Sequence, residues 1–470
     1  MTLDTFLLLR YEWILGLLIF FLLVAKLRDW DSKPRQFLVI INSLLVLNFI
    51  VGFIPLDKGT AFFDFFRTTH LIDFEKNILN MGVLLISVGS SRWIADQKHR
   101  GEFYILMLSS LMGMDVMLSA GHMLMLYLGL EMSTIPLAVL ANFHKNSLRS
   151  SEAGIKFIMS SAFSTGITLF GISLLYGAVG NLSFTSIISN LEPNALTITA
   201  FIFILGGFAF KISAVPFHLW TADVYEGSPV AITAYFSVIS KSSVVLVFVS
   251  VLYTIFGKLS ESWILAISIL AVLSMTVGNL FALRQQNIKR LLAFSAISQV
   301  GFMLVGITGF SAQAVESIIY FVIIYILSNV AAFMVVGAVA HVTDRETLEE
   351  YKGLYKTNPI QALVMGISLL SLAGIPPTAG FFGKLFLLTS AVSGQMYILL
   401  GIAAVNLVLS LYNYLRVIKY MFVDEATEDV PEVKSNVYEI IVYTFCMLGI
   451  IAIGFINPIY TYIQHIVAGI

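Results

Sequence analysis

Apolar runs of about 20 residues, separated by short polar or charged connections, recur along the chain, and a helix of that length crosses roughly 30 Å of hydrocarbon. Fourteen such runs occur, centred near Leu18, Val46, Leu85, Leu111, Ala138, Thr168, Leu205, Leu246, Leu270, Val300, Leu327, Leu370, Leu407 and Leu448. No soluble domain, low-complexity tract or long linker interrupts them. The pattern predicts an all-α polytopic membrane protein with about 14 transmembrane helices in one membrane domain. Between the runs, 177–194 reads as a loop with room for a short surface helix. The aromatic-rich stretch 58–74 reads as interfacial.

The placement of basic residues gives this ladder of spans a direction. Connections after the odd-numbered spans carry 18 Lys and Arg, including Lys26, Arg28, Arg92, Arg284, Arg345 and Lys419, whereas the opposite face carries five: Arg10, Lys58, Arg67, Lys76 and Lys258. Positive charge accumulates on the cytoplasmic side, so both termini are expected on the non-cytoplasmic side. The connection after span 7 departs from the rule, with Asp223 and Glu226 and no base. The first run is flanked by Asp4, Arg10 and Glu12 and lacks a small-residue cleavage site. It reads as a retained span, not a removed signal peptide.

Within the runs, ionisable residues are rare and expensive, which makes each one a functional candidate. Four stand out: Glu131 in MLYLGLEMSTIPLAVL, Lys211 in FKISAVPFHLW, Lys241 in ITAYFSVISKSSVVLV and Lys384 in LAGIPPTAGFFGKLFLL. Pro216 breaks the helix just after Lys211, and Pro376–Pro377 break it just before Lys384. His218, following the first break, reads equally as a proton relay or as a structural partner for backbone groups freed by the break. Lys156 lies near the edge of its span, where snorkelling to the headgroups competes with a buried role. Asp115 and His122 read as interfacial or structural polar groups, with proton access as the alternative. Asp223 and Glu226 join this second rank of relay or structural groups.

The chemistry that such a set supports is proton transfer. A lysine held away from water gives up its proton more readily, and a carboxylate moving toward it reverses that tendency. A second lysine nearby couples the two titrations. Ser213, Ser237, Ser240 and Ser242 are candidates to carry water between them. Composition narrows the choice further. The chain is 58% hydrophobic and 12% charged with a net charge of −1, which leaves no basic surface for nucleic acid. The one cysteine, Cys446, lies in an apolar run, and the seven histidines are scattered, so no disulfide or metal-ligand set is expected. No nucleophile–base arrangement, phosphate loop or redox motif is present.

The proline-broken spans, 7 and 12, stand five spans apart. Two five-span units of odd number would have opposite orientations, the inverted-repeat plan of many transporters. The expected division is 1–100 for spans 1–3, 101–256 and 257–422 for the repeats, and 423–470 for the last span.

LGLEMSTIPLAVLANF, SSEAGIKFIMSSAF, FKISAVPFHLWTADVYEGSPVAITAYFSVISK, NIKRLLAFSAISQVGFMLVG, AGIPPTAGFFGKLFLL and SLYNYLRVIKYMF together resemble the N-subunit family of bacterial type I NADH–quinone oxidoreductase, respiratory complex I, across 123–422. The glutamate, the lysine before the proline and the AGIPP break are shared by the wider antiporter-like family. The DVYEG continuation and Lys241 resemble the N subunit in particular. The resemblance implies two inverted five-helix repeats and proton translocation coupled to quinone reduction elsewhere in a large complex. Glu131, Lys211 and Lys241 would serve one half-channel and Lys384 the other. It implies no cofactor in this chain, with NADH, FMN, iron–sulfur clusters and quinone in other subunits. The partners it implies are the M, K, J and A subunits, through them L and H, and lipid of the bacterial inner membrane, with no nucleic acid. Two other readings are a subunit of a multisubunit cation/proton antiporter, for which a different sequence after the tryptophan is expected, and a membrane scaffold, which would gain nothing from four buried charges.

Overall fold

A backbone crossing hydrocarbon must satisfy its own N–H and C=O groups, and a helix does so within one segment. The computed structural model describes residues 7–54, 58–343, 346–425, 431–456 and 458–468. Asp4 and Arg345 lie outside the described residues. The principal helices are α1 (Arg10–Leu27), α2 (Pro34–Val51), α3 (His70–Gly89), α4 (Arg100–Leu118), α5 (Met123–Ala141), α6 (Leu148–Val179), α7 (Ala195–Lys211), α8 (Leu219–Gly227) and α9 (Val230–Thr254). They continue with α10 (Ser260–Ala282), α11 (Ile288–Ile307), α12 (Ala312–Thr343), α13 (Pro359–Ala373), α14 (Ala379–Ser393), α15 (Tyr397–Phe422), α16 (Val437–Phe455) and α17 (Pro458–Val467).

Each of the fourteen apolar centres falls inside one of these helices. Ten helices among the described residues are long and apolar enough to cross a membrane unaided: α2, α4, α5, α6, α9, α10, α11, α12, α15 and α16. The others fall short for two reasons. α1 and α3 each carry three charged residues. α7, α13 and α14 have only 17, 15 and 15 residues because prolines cut their spans. The expected loop at 177–194 begins three residues later than its composition suggests, since α6 runs to Val179, and it contains the short helix Phe184–Asn190. Within 58–74 the chain forms a small antiparallel hairpin, β1 (Gly59–Ala61) and β2 (Phe66–Thr68), with Thr60 opposite Arg67. Phe62, Phe63 and Asp64 take positive φ to close it.

The first compact unit comprises Met1–Ser87, Ile94–Lys211 and Ser240–Trp263. Its spine is the α4–α5 pair, which approaches closely because Gly113 and Gly129 lie at the crossing. A Cβ on Gly113 would strike the backbone of Met132 and Ser133, and one on Gly129 the backbone of Met117. α1 packs on α4, and α6 on α5 and α7. Phe208 stacks on Phe248 at 5.0 Å and Phe201 meets Phe256 at 5.1 Å, which seats α7 against the last part of α9. The charge ladder needs one revision here. Arg10 and Lys76, assigned to the non-cytoplasmic face, are buried among α1 and α3.

The second unit comprises Val88–Trp93, Ile212–Ile239 and Ile264–Ile470. α12 is its centre, buried throughout its apolar stretch and packed by α11, α13, α14, α16, α17 and the start of α9. α8 packs on α11. Gly278 and Gly301 repeat the small-residue crossing between α10 and α11.

Replacing Gly129 by leucine is expected to destabilise the α4–α5 crossing by about 1–3 kcal/mol or more, since a side chain there meets backbone that has no rotamer to yield. The midpoint of thermal unfolding in detergent checks this. Gly401→Leu is the control, because a Cβ at Gly401 meets nothing within 4 Å.

Candidate functional site

Lys211 is the last residue of α7, where Ser213 with φ 63° and Pro216 end the helix. Its side chain is 7% exposed, and its ammonium donates to Thr134 Oγ1 at 2.7 Å and to Ser161 Oγ at 2.6 Å. Thr134 in turn donates to the Leu130 carbonyl, so its lone pairs remain for the lysine. Glu131 lies three residues before Thr134 on α5, close to the same face. It is half-buried, among the exposed Leu128, Met132 and Ile135. Its carboxyl lies within electrostatic reach of both Lys211 and Tyr127. Thr165 donates to the carbonyl of Ser161, whose hydroxyl receives Lys211.

Lys241 belongs to the same unit and is 1% exposed. It directly follows a π-helical turn, Phe236–Ser240, a local widening of α9 often met at functional positions.

In the second unit, Lys384 sits on α14 at 3% exposure. Its ammonium lies 3.4 Å from the Ala373 carbonyl, freed at the end of α13, and 4.6 Å from the centroid of Phe302. Gln299 donates to the neighbouring Leu372 carbonyl and to Tyr414 Oη, both at 2.8 Å, and Tyr414 is hydrogen bonded with Ser295. Ser328 donates to Ser371 at 2.8 Å, and Tyr325 donates to the Ser237 carbonyl at 3.0 Å. His218 is largely buried at the start of α8, and Ser274 accepts the Val215 N–H of the break at 2.9 Å.

The remaining candidates separate from these sets. Asp223 and Glu226, without a base in their own connection, both accept from Arg290 at the start of α11, at 2.9 and 2.7 Å. Lys156 is exposed and paired with Glu152 one turn earlier at 2.6 Å. His122 caps α5, its Nδ1 accepting the Leu124 N–H, and stacks on Phe65 at 4.2 Å. Burial lowers its pKa, consistent with an unprotonated accepting nitrogen. Asp115 is fully buried beside charges of α1 and α3. Thr134, Ser161, Tyr127 and Gln299 escaped sequence reasoning. Only the nearness of Thr134 to Glu131, and of Ser161 to the SSEAGIK stretch, could have pointed to them.

These features define a polytopic α-helical subunit of the antiporter-like class. The family described as NADH:quinone oxidoreductase/Mrp antiporter, TM, matches residues 120–410. NADH-quinone oxidoreductase subunit N of Azobacteroides pseudotrichonymphae is 40% identical over 94% of this chain and 93% of its own length, and that of Phocaeicola vulgatus is 41% identical over 89% of each. The chain belongs to the subunit N family of NADH-quinone oxidoreductases. Among solved structures, a chain of respiratory complex I from Thermus thermophilus matches with a TM-score of 0.79 and 26% identity, covering 94% of this chain and 96% of that one. A chain of the Mrp complex from Dietzia sp. matches in fold with a TM-score of 0.88 at 19% identity, covering 100% and 97%.

Each hydroxyl removed from Lys211 leaves a buried ammonium one acceptor short, at about 1–3 kcal/mol. Thr134→Val combined with Ser161→Ala is expected to lower the thermal unfolding midpoint more than either change alone, with the half-buried Ser160→Ala as control. An unchanged midpoint would mean that these hydroxyls do not hold the lysine.

Proposed function

We propose that this chain is the proton-translocating membrane-arm subunit N of a bacterial complex I, transferring protons through Glu131, Lys211, Lys241 and Lys384 while quinone is reduced elsewhere. The observation that carries the reading is the buried Lys211 ammonium, held by two hydroxyls within electrostatic reach of the Glu131 carboxyl. Hydroxyls accept from an ammonium and donate to a neutral amine, so they tolerate both charge states. The Glu131 carboxylate favours the charged one. A change in the position or charge of Glu131 therefore biases Lys211 between holding and releasing its proton.

Two repeats, 101–256 and 257–422, are supported by the order of helix lengths. A glycine-crossed pair is followed by a 32-residue helix, α6 or α12, then by a proline-broken span. In this reading NADH, FMN, iron–sulfur clusters and quinone are bound by other subunits, and the chain sits in the inner membrane with both termini on the non-cytoplasmic side. Its neighbours are M, K, J and A, with L and H beyond them. Relatives at about 40% identity favour this over a cation/proton antiporter, whose likeness rests on fold.

Proton uptake into sealed membrane vesicles on NADH addition tests the proposal. At matched assembly, Lys211→Ala is expected to lower uptake and NADH oxidation together, by about tenfold or more for loss of a step worth over 1.4 kcal/mol. Glu131→Gln should lower both less severely. Unchanged uptake in Lys211→Ala would demote the lysine to a structural residue and return the antiporter and scaffold readings.

A further inference from the structure

The first unit contains a second set of buried charges, apart from the residues just discussed. It lies where α1 begins, α3 begins and α4 ends. Lys76, 0% exposed, pairs with Glu12 at 2.5 Å, and Arg10 pairs with Asp73 at 3.2 Å. Asp115 of α4, also 0% exposed, lies within electrostatic reach of Lys76, Glu12 and Asp73, and α1 packs on α4. Among the described residues, neither oxygen of the Asp115 carboxyl receives a hydrogen bond, and Glu12 Oε2 receives none either. Tyr11 uses its hydroxyl on the Asp73 carbonyl at 3.1 Å. Glu75, buried on α3, has Arg67 as its own electrostatic neighbour and does not act on Asp115.

Among the described residues, the buried charges of this set are unbalanced. Glu12, Asp73 and Asp115 are three buried acids and Arg10 and Lys76 two buried bases, with the exposed His70 beside Asp73 lying outside the buried set. A buried carboxylate with neither counter-charge nor donor is far too costly to persist, so such a group binds a proton. Asp73 keeps Arg10 and Glu12 keeps Lys76, which leaves Asp115. A protonated carboxyl also supplies the missing donor, since its O–H can bond a carboxylate oxygen such as Glu12 Oε2.

We infer that Asp115, with Glu12 and Lys76, forms a separate proton-binding site of the first unit, loaded with one exchangeable proton. By the expected orientation it lies toward the non-cytoplasmic side, suited to the passage of protons between the interior and that side. That use rests on the function proposed above, whereas the binding of the proton does not.

Infrared spectroscopy of the purified complex, following the carbonyl stretch of protonated carboxyl groups and its shift in deuterated water, tests the site directly. Asp115→Asn should remove one such band. Glu12→Gln should remove the same band with Asp115 still present, because Lys76 is then released to pair with Asp115 and ionise it. Lys76→Met should add a band, as Glu12 takes up a proton in its turn. A band unchanged in both Asp115→Asn and Glu12→Gln would overturn the proposal. In sealed vesicles, Asp115→Asn is expected to lower protons taken up per NADH oxidised. An unchanged ratio with the band lost would overturn the part in transfer. If Lys211→Ala proves silent in uptake, the infrared result still decides whether the site holds a proton.

Discussion

An ammonium group inside a hydrocarbon-facing protein must be met by acceptors, and the interior is arranged around the places where this is done. Three lysines show three solutions. Lys211 is met by hydroxyls from two helices, Lys384 by a backbone carbonyl and an aromatic face, and Lys76 by a carboxylate. The solutions differ in consequence. A carboxylate stabilises the charged form, whereas a hydroxyl serves the ammonium and the neutral amine alike. Lys76 is thereby suited to hold its charge, and Lys211 to change it.

Helix breaks supply the polar groups that a continuous helix would consume. At Pro216 the Val215 N–H turns to Ser274, and before Pro376 the carbonyls of Leu372 and Ala373 turn to Gln299 and Lys384. Each proline costs backbone bonds in its own span and recovers them from side chains of neighbouring helices. The same exchange brings polar side chains into the middle of an apolar bundle, where Ser295, Gln299 and Tyr414 continue the line. Close helix approach at glycines leaves little room for uncontrolled water around them.

Much of this was legible in the sequence. Hydropathy located a helix at every apolar centre, prolines located the breaks, and isolated charges in apolar runs located Lys211, Lys241 and Lys384. The misreadings share a cause. Arg10 and Lys76 lie near the ends of apolar runs and read as loop charges, yet they are buried against Asp73 and Glu12. Asp223 and Glu226, an acidic connection with no base of its own, share the single guanidinium of Arg290 from another helix, a partner that the local sequence does not name.

The sequence by itself determined that the chain is a helical membrane protein, because hydrocarbon forces every spanning backbone into one self-satisfied form. It also determined which side chains are too costly to be incidental. Only the tertiary structure decided what those side chains meet. The partners of Lys211 lie 77 and 50 residues away, and that of Lys76 lies 64 residues away. Hydropathy is averaged along one segment, whereas a hydrogen bond depends on which face of one helix turns toward which face of another.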